Sequence, residues 1–208
     1  MQILQRFDGS VSEYQQYVAQ TGPDSNRPGS CPQCLSPRPL IARGFYHRTI
    51  GTPQFDGIIA VRRYLCKDCK RTVSLLPQFA LPYLRSSVGV IALFLLARLL
   101  DAHTLRRSLP ALVPYQRGQF WVRRFRLQAG SLCLALAGAT SPLVTAPDFV
   151  QRALLLLTAR GWVPSHCFLF AVLRQHLLGW PPVSLRMAAT SRFPTPPAPP
   201  DPKHRPFA

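Results

Sequence analysis

Apolar positions divide the chain into a strand-rich part followed by a helical part. Between residues 40 and 76, short runs of β-branched and aromatic residues alternate with glycine, proline and aspartate turns. This pattern predicts strands at residues 40–47, 58–65 and 72–76. From Pro82 onward the apolar runs are longer and lie between capping residues and prolines. The pattern therefore predicts the α+β class, with a small antiparallel sheet followed by a mostly α-helical bundle.

The helical pattern predicts six helices. A short helix covers residues 11–19. Ser86 or Ser87 can cap a second helix that runs to about residue 101, and Thr104 can cap a short third helix that ends near residue 109. The remaining helices are predicted at residues 116–136, 148–160 and 165–178.

These elements divide the chain into five segments. They are an N-terminal helix and linker (1–26), a cysteine-bearing ribbon (27–81), a helix-turn-helix segment (82–137), C-terminal helices (138–180) and a tail (181–208). The tail is rich in proline, which predicts an extended or disordered segment.

No part of the sequence predicts membrane insertion or secretion. The longest apolar run, residues 88–97, is about half of the roughly 20 residues that a spanning helix needs. The N-terminal residues contain no apolar signal-peptide core. We therefore expect a cytoplasmic protein whose cysteines stay reduced.

The charge balance narrows the classes of function. Lys and Arg number 25 against eight Asp and Glu, which gives a net charge of +17. Codon bias in a GC-rich genome explains the preference for arginine but not the scarcity of acids. A basic folded surface favours nucleic acid over a membrane face or an acidic protein as partner. So few carboxylates disfavour functions whose active site needs a cluster of acidic residues.

Two CxxC motifs, Cys31-Pro-Gln-Cys34 and Cys66-Lys-Asp-Cys69, are the strongest local signal. Four thiolates from two such turns make a tetrahedral zinc site when a hairpin brings the turns together. A disulfide pair conflicts with a reducing location, and neither motif has the βαβ setting of a thioredoxin. Four cysteines can also bind iron–sulfur clusters, so the residue types alone do not exclude iron. The sequence therefore predicts structural Zn²⁺.

The other cysteines and histidines in the helical part belong to no paired-ligand motif. Cys133 and Cys167 are expected to be small core residues. His103, His166 and His176 are expected to be surface residues or core residues with satisfied hydrogen bonds.

Two helices, a break and a third basic helix predict a helix-turn-helix unit. At about 100° per residue, Trp121, Val122 and Phe125 fall on a core face. The opposite face carries Gln116, Gln119, Phe120, Arg123 and Arg124. The candidate DNA-binding residues are Arg106, Arg107, Gln116, Arg117, Gln119, Arg123 and Arg124 on the helices, and Arg62 and Arg63 on the ribbon. The alternative is that these side chains only solvate an amphipathic helix and a thin sheet.

Four sequence segments suggest a family. They are Arg27-Pro-Gly-Ser-Cys31-Pro-Gln-Cys34, Gly44-Phe-Tyr-His-Arg, Arg63-Tyr-Leu-Cys66-Lys-Asp-Cys69-Lys-Arg-Thr-Val-Ser-Leu-Leu-Pro77 and Phe120-Trp-Val-Arg-Arg-Phe125. Residues 27–128 resemble the N-terminal zinc ribbon and helix-turn-helix region of bacterial insertion-sequence transposases, most of all a transposase-like family of unknown function. The resemblance implies metal-dependent folding, with the cysteines at 31, 34, 66 and 69 as ligands, and DNA binding in mobile-element biology.

The chain departs from transposases at the catalytic residues. RNase H-type transposases hold two divalent metals on a carboxylate triad, whereas the acids after the ribbon are only Asp101, Asp148 and Asp201. We therefore expect a non-catalytic accessory protein, regulator or remnant in the bacterial cytoplasm, nucleoid-associated when bound to DNA. Its expected partners are DNA and a second copy or a transposase, with no small-molecule substrate. A compact or split transposase and a protein-interaction module are the alternatives.

Overall fold

The computed structural model describes residues 1–110, 113–137 and 146–179. The predicted α+β class is confirmed, because a four-stranded sheet is followed by a helical region. The prediction for the tail, residues 181–208, lies outside the described residues, as does part of the predicted segment 138–180.

The sheet contains the three predicted strands and one more. Its strands are β1 (Gln2–Gln5), β2 (Ile41–Gly51), β3 (Asp56–Leu65) and β4 (Thr72–Pro77), in the spatial order β1-β4-β3-β2. The pairs β2·β3 and β3·β4 are antiparallel, as predicted, but β1 lies parallel to β4. The predicted strands therefore pair as expected, and the unpredicted strand β1 makes the sheet mixed. Its sequence, Gln-Ile-Leu-Gln, lacks the alternation of apolar and polar residues that indicates a strand.

The N-terminal segment packs on the sheet. Helix α1 (Val11–Gln20) begins at a capping box, in which Ser10 and Glu13 exchange side-chain and backbone hydrogen bonds. The Tyr14 side chain is buried and its hydroxyl donates to the carbonyl of Ala60 on β3. Residues of α1 and of the strands share one apolar cluster, so this segment is part of the core of the ribbon.

Five helices follow the sheet, and capping residues set where several of them begin. They are α2 (Val88–Leu99), α3 (Leu105–Ser108), α4 (Tyr115–Ala137), α5 (Phe149–Arg160) and α6 (Trp162–Leu173). Ser87, Thr104 and Asp148 accept hydrogen bonds from the first-turn N–H groups of α2, α3 and α5. The predicted residues 165–178 for the last helix were shifted, because the helix ends where Arg174 adopts a left-handed φ of 52°.

Helices α2, α4, α5 and α6 enclose the larger core. Trp121 and Phe125 of α4 are fully buried, and the Trp121 ring meets Phe94 of α2 edge-on, with centroids 5.2 Å apart. The sheet joins this core through Arg48, whose guanidinium donates to the carbonyls of Leu81 and Leu84. Helix α3 is a single turn, shorter than the second helix of a typical helix-turn-helix unit.

Within the described residues, no single helix is both long and apolar enough to cross a membrane. Helices α5 and α6 pass that test only as a pair, and they are bent by 102° at their junction.

Candidate metal centre and nucleic-acid interface

The two CxxC turns adopt the same backbone conformation. The N–H of Cys31 donates to the carbonyl of Ser36, and the N–H of Cys66 donates to that of Arg71, both at 3.0 Å. The residue after each second cysteine, Leu35 in one turn and Lys70 in the other, has a left-handed φ of 58°. This conformation is costly for residues with a side chain, and it folds each turn back so that both of its thiols face the same point.

The four thiols form a compact cluster that could hold a metal ion. The Sγ atoms of Cys31, Cys34, Cys66 and Cys69 all lie within 4.8 Å of one another. Two pairs that bridge the turns, Cys31 with Cys69 and Cys34 with Cys66, are 3.7 Å apart. A tetrahedral ion with metal–sulfur bonds of about 2.3 Å places its sulfurs about 3.8 Å apart. The spacing therefore fits one ion, whereas a cluster of several iron atoms needs wider separation.

Backbone donors favour the thiolate form of one ligand. The N–H of Cys34, helped by that of Gln33, lowers the pKa of the Cys31 thiol to about 7 from its ordinary value of 9.0. The thiolate is the form of cysteine that binds metal. The N–H of Ser36 lowers the pKa of Cys34 in the same turn, but burial and the neighbouring thiols outweigh it and raise that pKa to about 12. Within this turn, therefore, only Cys31 is favoured as a thiolate near neutral pH.

Contacts around the thiols fix the two turns to each other and to the sheet. The Ser36 hydroxyl and the Arg38 guanidinium of the first turn both bind the carboxylate of Asp68 in the second. Cys31 and Cys66 are buried with an apolar cluster from the adjoining strands, whereas Cys34 is exposed. The centre thus lies at the end of the sheet, with one side in the core and one in solvent.

The two candidate DNA-binding arginines of the ribbon contact neighbouring aromatic rings. The guanidinium of Arg62 lies 3.9 Å from the ring centroid of Phe45 and donates to the carbonyl of Thr21. That of Arg63 lies 5.9 Å from the ring of Tyr46. Both arginines are half-buried, so part of each is occupied in holding the ribbon together.

The rotation predicted for α4 is largely confirmed. Gln116, Gln119 and Arg123 are exposed, and Trp121 and Phe125 are buried on the other side. These exposed residues belong to an arc of about 140° at about 100° per residue. The arc consists of Tyr115, Gln116, Gln119, Phe120, Arg123, Arg126 and Leu127.

Arg124 does not lie on this exposed face, so that prediction was wrong. Its side chain is only 7% exposed, and its Nη1 donates to the carbonyl of Gly179 at 3.5 Å. Gln128, one turn later, donates to the same carbonyl. The segment after α6 therefore covers this edge of α4. The helical periodicity of the α4 sequence alone could not predict that contact.

A groove runs along the exposed arc, and we call it the α4 groove. It has a volume of about 870 Å³ and is lined by the seven residues of the arc together with Arg98, Leu105 and Val122. No carboxylate lines it within the described part of the chain. Arg98 and Arg126 were not among the candidate residues, although the concentration of arginine between residues 98 and 126 is visible in the sequence.

The other helical candidates lie elsewhere. Arg107 and Arg117 line a second groove of about 1070 Å³ between the β2–β3 turn and helices α2 and α4, together with Asp56 and Asp101. Arg106 is exposed on α3. The structure thus brings Gln116, Gln119 and Arg123 together. Arg106 lines an adjoining groove that shares Leu105 and Tyr115 with the α4 groove, whereas Arg107 and Arg117 line the second groove.

Most carboxylates of the described chain have structural partners. Those of Asp8, Asp24 and Asp68 form ion pairs with arginines. Glu13 and Asp148 cap helices.

His166 differs from the prediction. It is fully buried on α6, and neither ring nitrogen has a hydrogen-bond partner among the described residues. The ring of His176 lies 6.1 Å away. Burial, with a smaller effect of His176, lowers the pKa of His166 to about 3. His166 was expected to be exposed or hydrogen-bonded, and the sequence does not show whether a buried side chain finds a hydrogen-bond partner.

Comparisons with known proteins add no relative to this description. No family model, no curated protein and no solved structure matches the chain.

Proposed function

We propose that the protein is a non-catalytic DNA-binding protein whose ribbon folds around a structural zinc ion. The observation that supports DNA binding best is the α4 groove, where Gln116, Gln119 and Arg123 lie side by side. Glutamine and arginine can bind adenine and guanine edges bidentately in the major groove. The net charge of +17 supplies long-range attraction to phosphate.

Zinc is our choice for the metal of the four-cysteine centre. Four thiolates at tetrahedral spacing leave no coordination position for water, which is typical of structural zinc. Bound there, zinc would supply a cross-link between the two turns. A single iron ion with the same ligands is the alternative, and metal analysis of the purified protein together with its visible absorbance distinguishes the two.

We further propose that the protein acts with mobile elements, as a bacterial accessory protein, regulator or remnant. Support comes from the resemblance of residues 27–128 to the ribbon and helix-turn-helix region of transposases. A second copy of the chain or a transposase is then the expected protein partner, and the bacterial nucleoid the expected location. Terminal inverted repeats flanking the gene would support this proposal, and their absence from several independent genomes would contradict it.

A titration with duplex DNA tests the proposed function. We expect anisotropy of a labelled duplex to show binding at low salt, with log Kd rising against log salt by about 0.9 for each phosphate contacted. Arg123→Ala should weaken binding to the preferred site by about 1–3 kcal/mol if the side chain reads a base. The cause is the loss of a bidentate contact from an exposed side chain, without loss of packing.

Arg6→Ala is the matched control for this experiment. Arg6 is also an exposed arginine, but its Nε is paired with Asp8 at 3.1 Å. Its replacement should change affinity little. Absence of binding to any duplex at low salt would contradict the proposed function. Equal losses for both variants would remove α4 as the reading element.

A compact or split transposase is the second candidate, and one observation favours it. The carboxylates of Asp56 and Asp101 line the same groove as Arg107 and Arg117. Two carboxylates can bind a divalent metal for phosphoryl transfer. Strand cleavage by the purified protein that requires Mg²⁺ and is abolished by Asp101→Ala would establish this function in place of the non-catalytic one.

A further inference from the structure

We infer that the α4 groove binds single-stranded DNA by stacking an unpaired base on Phe120. The inference rests on the proposed function and deepens it, because it adds single-stranded DNA to the duplex as a form of DNA that this surface binds. It arises from the two aromatic residues of the groove. Contacts to the edges of paired bases would not involve their rings.

Phe120 is a large apolar side chain that remains accessible. It is 40% exposed, and Tyr115, five residues earlier and lining the same groove, is 48% exposed. Burial of such rings against the core would be favourable, yet the fold leaves both on the outer arc. Aromatic rings between arginines are the typical platform of proteins that bind single strands, because every base has a π-face.

The Phe120 ring is also held in position. The guanidinium of Arg124, which is itself buried and bonded to Gly179, lies 5.2 Å from the ring centroid. A cation over an aromatic ring stabilises that arrangement. A ring fixed from the protein side loses little conformational freedom when a base covers its outer side, and such preorganisation increases affinity.

The charge of the groove is complementary to a nucleic-acid backbone. Arg98, Arg123 and Arg126 line it, and the described residues place no carboxylate there. The arc from Tyr115 to Leu127 is about 18 Å long at about 1.5 Å per residue, which is enough for several nucleotides. An acidic peptide would satisfy the arginines but not use the flat rings.

The test compares a labelled oligothymidine of about 20 nucleotides with a duplex of equal length, at one salt concentration. Loss of one stacked base corresponds to an affinity loss of about 5-fold to 150-fold. We expect Phe120→Ala to lower affinity for the single strand by that amount and to change duplex affinity by less than about 2-fold. Phe120→Tyr should restore binding of the single strand. Tyr115→Ala, at the accessible start of the helix, gives a second test that leaves Arg124 undisturbed.

Phe149→Ala is the matched control. Phe149 is a phenylalanine that is 60% exposed, with the guanidinium of Arg152 5.9 Å from its ring, but it lies on α5 outside the groove. Its replacement should leave both affinities unchanged.

The outcomes separate the two proposals. Duplex binding without measurable binding of oligothymidine overturns the stacking inference alone, as does an equal loss of both affinities in Phe120→Ala and Tyr115→Ala. Binding of neither form overturns both proposals. Binding of an acidic peptide in place of oligothymidine, lost in Phe120→Ala, would identify the groove as a protein-docking surface and also overturn the inference.

Discussion

Cys66→Ser, as a single substitution, is expected to unfold the ribbon. Cys66 is buried in the apolar cluster below the metal centre, and its Sγ lies 3.7 Å from that of Cys34. A small sheet buries little apolar surface, whereas structural zinc contributes on the order of 10 kcal/mol to the folding of small modules. Such a loss is comparable to the whole stability of an ordinary domain. Metal content should fall, and amide hydrogens of β2, β3 and β4 should lose their protection from exchange.

Cys167→Ser provides the control for this substitution. Cys167 is a half-buried cysteine on α6 whose Sγ lies 3.7 Å from the side-chain oxygen of Gln78, away from the four-thiol cluster. The same change of sulfur to oxygen there should leave metal content and the protection of the strands as in the wild type. Addition of a strong chelator to the wild type should reproduce the effect of Cys66→Ser. Native metal content and protected strands in Cys66→Ser would contradict a structural role for the metal.

The four-thiol cluster was predictable because its geometry is encoded locally. Each CxxC motif places two thiols on one turn, and the strand pattern between the motifs predicts the hairpin that brings the turns together. The structure confirms this reasoning at the level of thiol spacing. The N-terminal strand β1 was not predictable in the same way. It is a strand because each of its four residues pairs with a residue of β4 that lies 72 positions further along the chain.

The exposed face of α4 was predictable only in part, for a related reason. Helical periodicity correctly separated Gln116 and Arg123 from Trp121. Arg124 lies at the edge of that face, where burial depends on whatever packs alongside. The carbonyl that receives its hydrogen bond belongs to Gly179, far along the chain. Periodicity therefore gives the middle of a helix face, and tertiary contacts decide its borders.

The fully buried, unpaired ring of His166 in the helical core has a measurable consequence at low pH. His166 has both ring nitrogens in the core without a partner among the described residues. Its folded-state pKa of about 3 is below the ordinary value of 6.5. Between these two values the unfolded chain binds a proton that the folded chain does not bind. The contribution of His166 to the free energy of unfolding is therefore fully present above about pH 6.5 and is lost as the pH falls toward 3.

We expect the free energy of unfolding to decrease by about 3 kcal/mol between pH 7 and pH 4 through His166 alone, at about 1.4 kcal/mol per pH unit below 6.5. Denaturant titrations at several pH values, followed by tryptophan fluorescence, to which the buried Trp121 contributes, measure this decrease. His166→Leu removes the titrating group, so its free energy of unfolding should fall by about 3 kcal/mol less than that of the wild type between pH 7 and pH 4. It should also preserve stability at neutral pH, because it replaces unpaired polar atoms by apolar ones.

Ser165→Ala separates titration from packing in this experiment. Ser165 is the neighbouring residue on α6, fully buried, with a hydroxyl that has no partner among the described residues. Its replacement changes the same part of the core without removing a titrating group, so its curve should run parallel to that of the wild type. Protonation of the thiolates releases metal over the same pH range in all three proteins, and the difference between curves cancels that contribution. If His166→Leu also ran parallel to the wild type, the acid sensitivity would belong to the metal centre instead of to the buried histidine.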